Sequence, residues 1–270
     1  MLRSVSIEMM WRDRPYAERA RAAGAAGFDL VDLWDRRTSD LDAVAAACRT
    51  AGIGVNGFFG NRDHPLCDPS GRTAVLDEIA RSLDAAVAAG ARQLHIFSNA
   101  ISEGRVVPSP PLPAEVLHGA CVEAVSAAAD LARGSGVTLV LEHLNTVFLP
   151  GYLWGDVPAV VTIAREIADP VVGVAFDVFH QQLCGGRLTD HLEAAAPWMA
   201  RFDVAGVPGR HEPGTGEVDF GHLRAVLDRL GWDGTITFET VPSDGRPETA
   251  VAAADEYFPA APRRATPEGA

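Results

Sequence analysis

TLVLEHLNTVFLPGYLWGDVPAVVTIAREIADPVVGVAFDVFH, residues 138–180, holds two short apolar runs with an amphipathic stretch between them. The runs Thr138–Glu142 and Val171–Phe176 have the continuous apolar character of strands buried on both faces, which is the signature of a parallel sheet. Residues 156–168 carry the helical period that joins them. An acid closes each run: Glu142 the first, Asp177 the second. The same alternation extends to both ends of the chain. Further strands are expected at Ser4–Glu8, Leu30–Trp34, Gly54–Phe59, Gln93–Phe97, Arg201–Ala205 and Thr235–Glu239. Further helices are expected near 13–25, 40–51, 72–89, 113–134, 187–197, 219–230 and 245–257. Several of these should stop at Gly: Ala-Gly at 23–24, 51–52 and 89–90, then Gly134 and Gly231. Eight strands alternating with eight helices require a parallel sheet with right-handed crossovers. At roughly 34 residues per unit, the chain suits an α/β fold of the (β/α)8 TIM barrel type. A doubly wound sheet is the competitor, but it would place a glycine-rich turn after the first strand. Glu8-Met9-Met10-Trp11 stands there instead. The expected organisation is one domain over 1–258 and a disordered tail over 259–270.

Composition narrows the chemistry. The 270 residues are 47% hydrophobic and 22% charged, with a mean hydropathy of +0.06, as in soluble globular proteins. A net charge of -13 argues against nucleic acid, which needs a basic face. All 23 basic residues are Arg. The absence of Lys excludes Schiff-base and pyridoxal phosphate chemistry and the P-loop. Cys48, Cys67, Cys121 and Cys184 show no metal-binding spacing, and Cys48 and Cys121 fall in helical stretches as buried thiols. With no apolar leader and no run of about 20 apolar residues, a cytoplasmic location away from membranes is expected.

The informative pattern is acidic. Glu142, Asp177, Asp203 and Glu239 stand at consecutive expected strands, each about one βα unit from the next. Any one of them could cap a helix or pair with an arginine. Four converging on one barrel mouth would repel one another, so a cation must sit among them. All-oxygen ligation favours Mg²⁺ or Mn²⁺ over zinc. Two long connections, 60–71 and 98–113, leave the same end of the barrel and are either rim loops of the site or plain surface loops.

The segments LEHLNT (141–146), FDVFHQQ (176–182), AGVPGRHEPGTGEVDF (205–220) and FET (238–240) resemble the hydroxypyruvate isomerase family, one of the xylose isomerase-like TIM barrels. The opening SIEMMWRDRPYAERARAAGAAGFDLVDL is similar too, and the likeness runs to about residue 258. It implies a metal held by Glu142, Asp177, Asp203 and Glu239, with Glu142 and Glu239 also serving as the proton-transfer pair. The family carries Gln, or His in its epimerase relatives, where this chain has Asp203. Arg201, two residues earlier on the same side of the strand, offers a second reading in which Asp203 only pairs with it.

His180 should line the substrate pocket or cap the next helix. Arg210 should bind a substrate carboxylate or pair with Glu212 or Glu217. Glu8 stands where it could reach the pocket or the surface, and His64 and His95 could reach the mouth from neighbouring strand ends. His143 should point away from the barrel centre; Trp11, Phe59 and Trp154 are candidate walls. The resemblance implies an isomerase or epimerase of a small α-hydroxy carbonyl compound, with proton transfer through a metal-stabilised enediolate and hydroxypyruvate as the default substrate. A metal-dependent lyase or dehydratase, or a natural-product biosynthetic enzyme on the same barrel, is the alternative. An abasic-site endonuclease would need a histidine-rich trinuclear zinc cluster. The expected partners are the small-molecule substrate and a second copy in a homo-oligomer.

Overall fold

A computed structural model describes residues 1–260; residues 261–270, the greater part of the expected tail, lie outside the described residues. The chain runs through β1 (Leu2–Ser6), α1 (Tyr16–Ala25), β2 (Leu30–Asp32), α2 (Leu41–Ala51), β3 (Gly54–Phe59), α3 (Arg72–Ala89) and β4 (Gln93–Ile96). A small hairpin, β5 (Ile101–Ser102) with β6 (Arg105–Val106), precedes α4 (Ala114–Ala132). Then come β7 (Thr138–Glu142), α5 (Val157–Ile167), β8 (Val172–Asp177), α6 (Val178–Cys184) and α7 (Leu188–Ala195). β9 (Met199–Val204), α8 (Phe220–Leu230), β10 (Thr235–Phe238) and α9 (Pro247–Tyr257) complete it. The eight strands other than the hairpin are all parallel and close into a barrel, with β10 pairing back onto β1. This is the expected TIM barrel.

The barrel strands are buried almost throughout because helices cover the outside and side chains fill the inside. α4 shows how the outer layer is made. Its buried positions Leu117, Cys121, Ala124, Ala128 and Ala132 recur every three or four residues, a stripe that faces the sheet. Side-chain carboxylates of Asp40, Asp156, Asp177 and Asp219 accept a backbone N–H in the first turn of α2, α5, α6 and α8. Past α9, Phe258 packs against Phe202, Phe220 and Phe238, tying the end of the barrel domain to β9 and β10.

Two expectations are corrected. α1 does not stop at Gly24 but passes through it to Ala25. A Cβ there would lie 2.8 Å from that of Ala51, so the glycine lets α1 and α2 approach closely. β1 ends at Ser6 rather than Glu8, which places Glu8 on the turn that follows. No described helix is long and apolar enough to cross a membrane.

Candidate active site

The parallel register brings the four acids to one end of the barrel. Glu142 and Asp177 are the last residues of β7 and β8, Asp203 lies opposite Asp177 on β9, and Glu239 follows β10. All four are buried. Each has a distinct partner. An oxygen of Glu142 meets His95 Nδ1 in a short contact. Asp177 Oδ1 accepts the backbone N–H of His180 at 2.8 Å, capping α6, while its Oδ2 stands 3.9 Å from Arg210 Nη2. Asp203 accepts from Arg201 Nε through both oxygens, at 2.7 and 2.9 Å. The same guanidinium donates to Asp32 at 2.6 Å, and Asp32 also accepts from Ser4, Asn56 and Thr237. Glu239 accepts from Trp34 Nε1 at 2.6 Å and from Arg210 Nη2 at 2.5 Å.

These partners leave the site short of positive charge. Asp32, Glu142, Asp177, Asp203 and Glu239 are met by two guanidiniums, Arg201 and Arg210, and by the ring of His95. Burial pushes the Asp177 carboxyl up to about 7, reinforced by Glu239 and Glu142 and only partly opposed by Arg210. Burial likewise holds Asp203 well above the ordinary carboxylate range, against the pull of Arg201. Burial acts on Glu142 too, but there His95 and Arg201 outweigh it and bring the group down to about 2. A divalent cation fits this deficit. Glu142, Asp177 and His180 each bring one potential ligand atom within 4.8 Å of the others.

His180 has a defined tautomer. Its Nδ1 accepts the backbone N–H of Asn145 at 2.9 Å, so the proton of the neutral ring sits on Nε2. Burial, with the nearby charge of Arg210, keeps the ring neutral. His180 therefore presents a donor to the pocket rather than a metal-ligating lone pair. Arg210 sits in the loop after β9 with φ at 54°, and its Nε is buried without a partner. That loop is tight: a Cβ on Gly216 would come 2.1 Å from the Val207 carbonyl oxygen.

The other expected residues fall as follows. Glu8 lines the pocket and accepts from the Tyr16 hydroxyl at 2.7 Å and the Trp34 N–H at 3.1 Å. His95 lines it through Glu142. His64 lines a side cavity of about 120 Å³ beside it. Glu212 does not pair with Arg210; its carboxylate accepts from Ser243. Glu217 accepts from Gln182 at 3.0 Å. His143 is fully buried with neither ring nitrogen partnered. Phe59 is a pocket wall, whereas Trp11 and Trp154 belong to the core. Trp34, Asp32 and Asn145 escaped the sequence reading. Trp34 carried one signal, its place at the end of the second expected strand. The partners of Asp32 and Asn145 lie 169 and 35 residues away.

Comparison with known proteins agrees with this fold. The family model described as xylose isomerase-like TIM barrel matches residues 17–259. The 2-oxo-tetronate isomerase of Cupriavidus necator is 28% identical over 90% of this chain and 93% of its own. The hydroxypyruvate isomerase of Escherichia coli is 22% identical, over 90% and 94% respectively. A solved structure, an AP endonuclease, family 2, from Brucella melitensis, superposes with a TM-score of 0.82. It is 27% identical and covers 95% of this chain and 98% of that one.

Proposed function

The chain belongs to the xylose isomerase-like TIM barrel family, and from that premise we propose that it is an isomerase or epimerase of an α-hydroxy carbonyl compound. Its cofactor in this reading is one divalent cation, Mg²⁺ or Mn²⁺. Support comes from relatives named as isomerases along nearly their whole length. The endonuclease name of the Brucella structure finds no counterpart in the residues. Among the described residues the candidate metal group brings two carboxylates and the single ring of His180, which is turned as a donor, not a histidine-rich cluster.

The carrying observation is the meeting of Glu142 and Asp177 within ligand reach, over a deficit of positive charge. Those two anchor the proposed ligand set, with Glu239 and Asp203 completing it. Each Asp203 oxygen keeps a lone pair beyond its bond to Arg201. A cation there supplies positive charge where negative charge develops on adjacent carbonyl and hydroxyl oxygens of the substrate. Glu142 and Glu239 are the proton-transfer pair. His95 keeps Glu142 a carboxylate at neutral pH, and Trp34 with Arg210 fixes the direction of Glu239. One of them removes the proton from the carbon next to the carbonyl, and the proton is returned to that carbon or its neighbour. The Nε2–H of His180 is a donor left over for a substrate oxygen.

The test is deuterium exchange, followed by NMR in D₂O. Mn²⁺-loaded protein is given glycolaldehyde, hydroxypyruvate, D-erythrulose or D-fructose. Exchange of the proton next to the carbonyl, with appearance of the isomer and loss of both on chelation, is expected. Absence of exchange from every compound, with Mn²⁺ shown to be bound, would contradict the reading.

A further inference from the structure

The pocket above the acids is larger and less polar than a small sugar acid requires. It holds about 700 Å³. A three-carbon hydroxy acid has the bulk of about three or four water molecules, at ~30 Å³ each. Much of the remaining wall is apolar: Phe59, Phe97, Ile101, Leu144, Phe148 and Phe179 all line it. Phe148 and Phe179 lie parallel with ring centroids 6.1 Å apart, and Phe148 is 62% exposed.

The polar side chains that line the same pocket away from the acids are partly engaged. The Tyr16 hydroxyl donates to Glu8. Arg62 is bound to Asp35 at 3.0 Å and to the Ile101 carbonyl at 3.2 Å, and Thr38 Oγ1 donates to the Asp35 carbonyl at 2.9 Å. A polyol chain placed here would set most of its hydroxyls against rings, with only the remaining capacity of Tyr16, Thr38 and Arg62 to meet them. An apolar arm would instead remove both its own surface and the exposed ring of Phe148 from water.

We propose that the substrate of this chain is an α-hydroxy carbonyl compound bearing an alkyl or aryl arm, with the reacting carbons over the acids and the arm along the phenylalanine wall. The inference rests on the isomerase reading for the head group and on the wall alone for the arm.

A graded series separates the two. Mn²⁺-loaded protein is titrated calorimetrically with hydroxyacetone, 1-hydroxy-2-butanone, 1-hydroxy-2-hexanone and 1-hydroxy-3-phenylpropan-2-one. Dihydroxyacetone, D-erythrulose and D-fructose form the polyol arm, and deuterium exchange is followed on the same samples. Affinity should rise up to about fourfold per methylene, the value of burying one CH₂, and the phenyl compound should exceed the polyol of equal length. The slope should flatten in Phe148→Ser and Ile101→Asn. A flat apolar series, or a rise with polyol length instead, overturns the proposal even if exchange is seen. A rising apolar series without exchange keeps the arm and removes the isomerase reading. If the series is flat and light scattering shows a dimer that Phe148→Ser dissociates, the exposed ring belongs to a second copy and the proposal falls.

Discussion

Arg201 sets the electrostatics beneath the site. Its side chain is buried, clasping Asp203 on its own strand and Asp32 across the barrel. The pairing with Asp203 was legible from the sequence, because residues two apart on a strand share a side. The share of Asp32 was not, since 169 residues separate it from Arg201. Nor could the sequence say that Trp34 and Arg210 would grip Glu239 from two other loops. Removing one partner of a buried ion pair is costly because the other charge stays behind. Arg201→Leu should therefore lose about 3–5 kcal/mol in urea unfolding. The double variant Arg201→Leu/Asp203→Leu should lose less than the single one, since it strands one acid fewer. A double variant no more stable than the single would show that Asp203 does not depend on Arg201.

At the scale of elements, the barrel strands and long helices were legible because their apolar periods run uninterrupted. The hairpin β5–β6 was missed, since two-residue strands leave no pattern, and so was α6, a single seven-residue helix begun by Asp177 itself. Loops hold the site's rim together through charge. Asp35, after β2, is bridged by Arg37 at 2.8 Å and by Arg62 at 3.0 Å; Arg37 also reaches Asp63. Burial pushes the Asp35 carboxyl up, but the two arginines outweigh it and hold it at about 2. A depressed acid stabilises the fold above its unfolded value, near 3.8, and loses that contribution as pH falls through its folded value. The melting temperature of the wild type should exceed that of Asp35→Asn at pH 5 and above. The difference should shrink below pH 4 and vanish near pH 2. A gap that stays constant down to pH 2 would contradict the charged role of Asp35.

For the whole molecule, eight parallel strands turn acids spaced along a hundred residues of sequence into one cluster. The spacing of Glu142, Asp177, Asp203 and Glu239 announced that cluster, because parallel strands end together at the same face. How its charge is balanced came only from the fold, through His95, Arg201 and Arg210. The proposed role of Glu142 and Glu239 is to move the proton. It is tested most directly by carbon-bound deuterium exchange on a compound that the wild type turns over, with Mn²⁺ binding measured in parallel. Glu142→Gln and Glu239→Gln should each lower the exchange rate by at least ~10²-fold, the usual contribution of general acid–base catalysis, at saturating Mn²⁺. Exchange within tenfold of wild type in both variants would contradict it.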